Sequence, residues 1–304
     1  MSGYALNSRL LHPSKSATLA ELADLWESHI ITVRVVGMGT FIQCPSLLNK
    51  IRGSLGHVLI QSGSSVLKDR KPCDWTRVCA AEPLFAKKPK INVGPYLMEI
   101  AKPYRLAAQK DGQDLLVSIS LFGFSKMWID EVKWALILAL REFVAWNVLA
   151  RDGYYFVPRN IQVLEPKLEN STLKVIDRKV ENVMIVFITP LDAERGNIHD
   201  RPQTLFERLL LRITMLARWH DVCLVDQWGH MEDLWKSLTY EFNCFEGTSG
   251  PVVGGHKYIN NLNTPSELNI TGKMSKCIDL LRIGESIGFG RGAVIGLGEF
   301  AVRQ

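Results

Sequence analysis

Two features of this chain have the residue types and spacing to do chemistry: a histidine on a polar helix face, and a cluster of glycines and arginines near residue 290. The stretch CPSLLNKIRGSLGHVLIQSG opens on Pro45 and Ser46 and stops at Gly63, which predicts a helix between them. At 100° per residue, Leu47, Leu48, Ile51, Leu55, Val58 and Leu59 gather on one face. His57 then points about 140° from the centre of that face. Lys50 lies within about 20° of it two turns earlier, with Ser54 and Gln61 nearby. An imidazole takes up or gives a proton near neutral pH, and the cations of Lys50 and Arg52 could steady a developing anion. Gly53 flanks the polar face and would let a ligand come close. A solvated surface histidine fits the same pattern.

The second feature is LLRIGESIGFGRGAVIGLGEF, residues 280–300, which holds Gly288, Gly290, Gly292, Gly296 and Gly298 with Arg282 and Arg291 alongside. Glycines permit positive φ and close approach, and unblocked N–H groups beside an arginine suit phosphate oxygens. Lys273 and Lys276 frame the segment, and Arg208 and Arg212 share a polar edge of a helix further upstream. A tightly packed glycine-rich β-hairpin would use the same residues. GFGRGA begins like a dinucleotide fingerprint, but only a short strand and the end of the sequence follow it, where that fingerprint needs an early strand and a helix.

Other constellations exclude themselves. The six cysteines contain no Cys-x-x-Cys pair, so no metal site is expected and buried thiols are. Glu99, Asp130, Glu131, Asp192 and Glu194 form no paired motif of the kind a metal nuclease needs. Among the remaining histidines, His29 precedes a strand and ranks second as a base. His220 ends an apolar helix beside Trp219 and reads as structural, or as a cation on the helix dipole. His199, His230 and His256 fall in polar loops, and His12 in a mobile N-terminal stretch. Trp134, Trp146 and Trp219 sit in apolar helices and read as core. The basic residues Arg70, Lys71, Arg77, Lys87, Lys88 and Lys90 could grip phosphates, or form a solvated face.

The elements that must position these residues come in two similar series. Ile30–Gly37 alternates and is β-branched, so it predicts a strand; the helix containing His57 follows. Residues 64–95 are rich in Pro, Lys and Cys without period, as in an ordered insertion. Leu115–Phe122 predicts a further strand and Ile129–Ala150 a second helix, stopped by Asp152-Gly153. The series restarts with a strand at Asn182–Thr189 and a helix at Gln203–His220. A helix at Met231–Phe242, strands around Pro251–Ile259 and Leu268–Gly272, and a last strand at Ala293–Val302 complete it. Strand, helix, strands, helix, strand is the split βαβ order of a ferredoxin-like unit. The expected fold is α+β: two tandem ferredoxin-like (RRM-like) domains, 1–160 with an insertion at about 64–95, and 161–304 with the glycine-rich loop.

Leu281, Gly284, Gly288, Gly290, Gly296, Leu297, Gly298 and Phe300 resemble the C-terminal glycine-rich signature of the RAMP superfamily of RNA-processing proteins. The segments Phe187–Leu191 with Phe206 and LLLRITMLARWH, Gly254-Gly255, Ile51–Leu59, Lys71–Trp75 and Leu84-Phe85 are similar to that family at the expected places. The resemblance implies a CRISPR repeat-cleaving endoribonuclease. Such a protein binds CRISPR repeat RNA, cuts the precursor without a metal by attack of a 2′-hydroxyl, and leaves a cyclic phosphate and a 5′-hydroxyl. It keeps the crRNA product in many cases and passes it to other CRISPR effector subunits. In that family a general-base histidine lies on or just after the first helix, which points to His57. Other members use arginines or tyrosines, which points to Arg52 and Arg291. The family's downstream histidine is missing here, since Gln61–Pro72 contains none. No cofactor is implied. A non-catalytic RAMP subunit that binds guide RNA is the alternative, and an unrelated two-domain α+β enzyme comes third.

Composition agrees with this reading without requiring it. Hydrophobic residues make up 47% and charged residues 22%, an ordinary globular balance. A net charge of +5 leans only weakly toward a polyanionic partner. The most apolar run, Trp134–Leu149, is broken by Arg141 and Glu142, and MSGYALNSRLLHPSKS lacks the apolar core of a signal peptide. The expected location is the cytoplasm, with no membrane partner.

Overall fold

Alternating burial organises the first half of the chain. In β2 (Glu27–Val35), Ile31, Val33 and Val35 are fully buried while their neighbours are half-exposed, as a strand with one face on a core requires. The computed structural model describes residues 1–44, 46–69, 71, 73–142, 146, 161–173, 180–189, 201–225, 228–243, 267–296 and 298–303, with Trp228, His230, Lys276 and Arg291 described by backbone alone. In chain order the first half holds α1 (Gly3–Leu11), β1 (Lys15–Ala17), α2 (Leu19–Leu25), β2, α3 (Leu47–Gln61) and α4 (Ala81–Phe85). These are followed by β3 (Lys90–Val93), β4 (Tyr96–Glu99), β5 (Tyr104–Asp111), β6 (Asp114–Phe122), α5 (Ile129–Arg141) and β7 (Lys167–Thr172). The second half holds β8 (Asn182–Phe187), α6 (Thr204–Ala217), β9 (Val222–Leu224), α7 (Trp228–Lys236), β10 (Thr239–Asn243), β11 (Glu267–Thr271), α8 (Ile278–Ile287) and β12 (Phe300–Arg303).

Two four-stranded antiparallel sheets result, in the orders β5-β6-β2-β7 and β10-β11-β8-β12. The two orders are the same pattern. In chain order, the first strand of each sheet (β2, β8) sits between the third (β6, β11) and the fourth (β7, β12), with the second (β5, β10) on the far edge. A helix follows the first strand (α3, α6) and another the third (α5, α8). A β3–β4 hairpin and α4 occupy the expected insertion.

Several boundaries differ from expectation. The first sheet reaches beyond residue 160, because β7 pairs with β2 from Glu27↔Thr172 to Thr32↔Lys167. The second long helix of the second half is α8. Residues 231–242 instead hold part of the short α7 and most of β10. The glycines had masked α8: Leu280, Leu281, Ile283 and Ile287 are fully buried, and Gly284 is tolerated inside it because a Cβ there would meet the Phe300 ring at 2.7 Å. The last strand shrinks to Phe300–Arg303, since residues Arg291–Ile295 form a 3₁₀ turn bounded by Gly290 and Gly296 at φ +84° and +77°. The N-terminal stretch is a helix with Leu6 and Leu10 fully buried, and His12 is its C-cap. The expected strand at 251–259, and with it Gly254-Gly255, lies outside the described residues. So do Asp152-Gly153, His199 and His256.

Candidate functional site

α3 forms because its apolar residues recur at helical spacing. Leu47, Ile51, Leu55 and Leu59 are buried toward the first sheet and α5. His57 and Lys50 are exposed, as their angular positions predict, and lie roughly 10 Å apart along the axis at 1.5 Å per residue. Arg52 is half-buried. Its Nε donates to the Tyr104 hydroxyl at 3.0 Å, and its guanidinium lies 5.8 Å from the centre of the Phe85 ring. Burial pushes the Tyr104 phenol up, and the Arg52 charge opposes that. The helix glycine that matters is Gly56, where a Cβ would meet the Phe85 ring at 2.8 Å. Gly53 faces open space.

The glycine-rich segment is a packed wedge. Gly288 caps α8 at φ +69° and donates to the Gly284 carbonyl at 2.8 Å; Phe289 N–H donates to the Gly298 carbonyl, also at 2.8 Å. A Cβ at Gly298 would meet the Phe289 carbonyl oxygen at 2.1 Å. Thr189, at the end of β8, ties the segment down: its hydroxyl donates to the Gly296 carbonyl and accepts from Glu299 N–H, both at 2.8 Å. Gly288, Gly292, Gly296 and Gly298 are buried and Gly290 half-buried. At Gly296 a Cβ would meet the Leu106 carbonyl oxygen and the Leu48 side chain, each at 2.9 Å, so the wedge lies against β5 and α3 of the first half.

This contact sorts the expected catalytic residues. Leu48 marks the side of α3 that meets the wedge, and Arg52 lies about 40° from it, whereas His57 lies about 180° away. Arg52 and the backbone of Arg291 therefore belong to the wedge side, while His57 and Lys50 share the opposite, open side.

The expected RNA-binding cations divide as well. Lys273 is exposed and the backbone of Lys276 ends a short 3₁₀ turn. Arg208 is half-buried. Arg282 is turned inward, its Nη1 donating to Asp279 at 2.8 Å with both side chains below 10% exposed. Arg212 is turned inward too rather than lying on a polar edge. Its Nε and one Nη have no hydrogen-bond partner, and burial with the nearby charge of Arg105 lowers its pKa to about 10. Arg105 went unnoticed in the sequence. It stands on β5, donates to the Glu285 and Ser286 carbonyls at the end of α8 (3.4 Å each), and approaches Glu299 at 2.7 Å, close enough for an ion pair but off the line of a hydrogen bond. The alternation of β5 alone could not reveal a partner 194 residues away in sequence.

His29 and His220 are structural. His29 is buried, with Nδ1 2.6 Å from Asn170 Oδ1. His220 stacks on Trp26 at 4.4 Å, and burial lowers its pKa to about 4, so it is neutral and not a cation on the helix dipole. Lys88 breaks up the basic cluster after residue 70: it is buried, paired with Glu82 at 2.8 Å, and burial lowers its pKa to about 8. Trp146 and Trp219 are core as expected, but Trp134 is 54% exposed. Among the described residues no group of His, Cys, Asp and Glu could hold a metal ion, and no helix is long and apolar enough to cross a membrane.

No family model matches the sequence, and no curated protein does. Among solved structures, the chain is similar to a Cas6 product complex at a TM-score of 0.42 and 12% identity, covering 91% of this chain and 100% of that one. It is similar to a Cas6 substrate-mimic complex at 0.41 and 13%, covering 92% and 100%. A structure described as an RAMP protein binding different RNA substrates gives 0.39 and 12%, again covering 92% and 100%. A likeness of this size assigns neither an activity nor a ligand to this chain.

Proposed function

We propose that this protein is a CRISPR repeat-cleaving endoribonuclease of the RAMP type, built from two ferredoxin-like units joined through the glycine-rich segment. The observation that carries the reading is the repeated strand order, second-third-first-fourth, with the signature glycines seated between the two halves. In the proposed reaction the 2′-hydroxyl attacks the adjacent phosphate, the bond from phosphorus to the next nucleotide's 5′-oxygen breaks, and that oxygen takes a proton from water and leaves as a 5′-hydroxyl, with a cyclic phosphate remaining. His57 would take the hydroxyl proton, and Lys50 on the same open face would steady the phosphorane. Arg52 and Arg291 would hold the strand on the wedge side with the half-buried Gly290, while the buried Gly288, Gly292, Gly296 and Gly298 would shape the segment that presents them. Lys273, Lys276 and Arg208 would contact phosphates, whereas the unpartnered nitrogens of Arg212 are buried out of a strand's reach. Arg282 is the weakest of these assignments because Asp279 already holds it.

Wild type and His57→Ala, incubated with labelled repeat RNA from the host's own array in excess EDTA, test this. The expected outcome is a single cut ending in a cyclic phosphate, slowed about 10²–10⁴-fold in the variant, the usual worth of a general base. Unchanged cleavage in His57→Ala would transfer the role to Arg52 and Arg291.

One observation favours a second reading, a non-catalytic RAMP subunit that binds guide RNA. His57 and the pair Arg52–Arg291 sit on opposite sides of α3, so no single constellation joins them. Tight binding with no cut would select it.

A further inference from the structure

A cavity of about 790 Å³ opens between the end of α3, the segment preceding α4, and the first turns of α5. Trp75 and Trp134 both line it, 45% and 54% exposed. The other tryptophans whose side chains are described, Trp26, Trp128, Trp146, Trp219 and Trp235, are at most 3% exposed. Both exposed indoles of the described chain thus face one cavity. Trp134 also stands apart from the inward stripe of α5, which is Val132, Ala135, Leu136, Ala139 and Leu140.

The polar lining is mixed. Thr76 and Arg77 offer donors, while the Ser62 hydroxyl already donates to the Val58 carbonyl at 2.9 Å; Asp130 offers a carboxylate that is 90% exposed and only loosely paired with Lys133 at 3.6 Å. Glu131 is already committed, accepting from Ala80 N–H at 2.7 Å. Flat apolar faces combined with donors and an acceptor match a nucleobase, which has two π faces and an edge of mixed polarity. A wholly apolar occupant would make no use of Arg77 and Asp130. A base inside a duplex has its faces covered by its neighbours, so only an unpaired one fits.

We infer that this cavity holds an unpaired nucleobase of single-stranded RNA, stacked on Trp75 or Trp134 with its edge toward Thr76, Arg77 and Asp130. The inference rests on the RNA-binding reading above and adds a contact away from the proposed cleavage face. Leu59 and Ser62, which line the cavity, lie roughly 140–160° around α3 from His57.

The test is fluorescence anisotropy with labelled repeat RNA, single-stranded and annealed to its complement, across a salt series. Wild type is compared with Trp134→Leu, Trp75→Leu and Trp134→Phe. Stacking of one base on an aromatic ring corresponds to roughly 5- to 150-fold in Kd. At least one leucine variant is therefore expected to bind single strands that much more weakly, with duplex affinity and salt slope unchanged, and Trp134→Phe to stay within about threefold of wild type. Leucine variants that bind single strands as wild type does would overturn the base site, leave the RNA reading standing, and give the indoles to a protein partner. Loss of duplex binding as well, or a failed rescue by phenylalanine, would overturn it by exposing a structural role. A wild-type protein that binds neither RNA would remove the RNA reading itself and the base site with it.

Discussion

Stacked between Trp26 and its own buried surroundings, His220 has no way to keep a proton. Its Nε2 has no hydrogen-bond partner, Glu27 offers only weak compensation, and its pKa falls to about 4. In the unfolded chain the same imidazole titrates near 6.5. The unfolded state therefore binds more protons between these values, and stability is lost as pH falls from about 6.5 toward 4, then levels off below. The full effect is on the order of 3 kcal/mol at 1.36 kcal/mol per pKa unit. His220→Phe, which retains a ring against Trp26, is expected to flatten that limb. Urea melts at pH 7 and pH 5 would show it; an unchanged loss of stability in the variant would move the cause elsewhere.

At the scale of one element, α3 carries two glycines with opposite duties. Gly53 is exposed with nothing near a notional Cβ, so its only effect there is to loosen the helix. Gly53→Ala is expected to stabilise the protein by about 0.5–1 kcal/mol. Gly56 admits the Phe85 ring to 2.8 Å of its notional Cβ, so Gly56→Ala must push α4 away and is expected to cost about 1–3 kcal/mol. Thermal melts of the two variants should shift in opposite directions. If Gly53→Ala melts normally but cleaves or binds repeat RNA poorly, the open face of α3 is a ligand surface as proposed.

The halves of the molecule are held by contacts of several kinds. β1, from the first half, runs parallel to β9 of the second, from Lys15↔Val222 to Ala17↔Leu224. Asp221 at φ +61° receives Arg9 at 3.1 Å and Ser14 N–H at 3.0 Å. Trp219 donates its indole N–H to the Ala101 carbonyl at 2.9 Å, and Arg105 reaches Glu299 and the end of α8. Such a seam predicts one cooperative unfolding transition rather than one per half. Glu299→Gln would leave the buried Arg105 without its counter-charge and is expected to cost about 2 kcal/mol while keeping the transition single. Calorimetry that resolves two transitions in the wild type would contradict a seam of this strength.

Local periodicity was enough to read much of this protein. The alternation in β2 and β6, the apolar stripes of α3, α5 and α6, and the outward direction of His57 and Lys50 all follow from spacing alone, because burial on one face imposes it. The glycine cluster was legible as special, but its use was not. A glycine needed for positive φ, as at Gly290, and one needed for close approach, as at Gly284, look alike until the opposing Phe300 is in place. Non-local packing also decided that Arg212 and Arg282 turn inward, that Trp134 faces a cavity with Trp75, and that β7 completes the first sheet. Each of these depends on residues far apart in the chain, and only the tertiary structure brings them together.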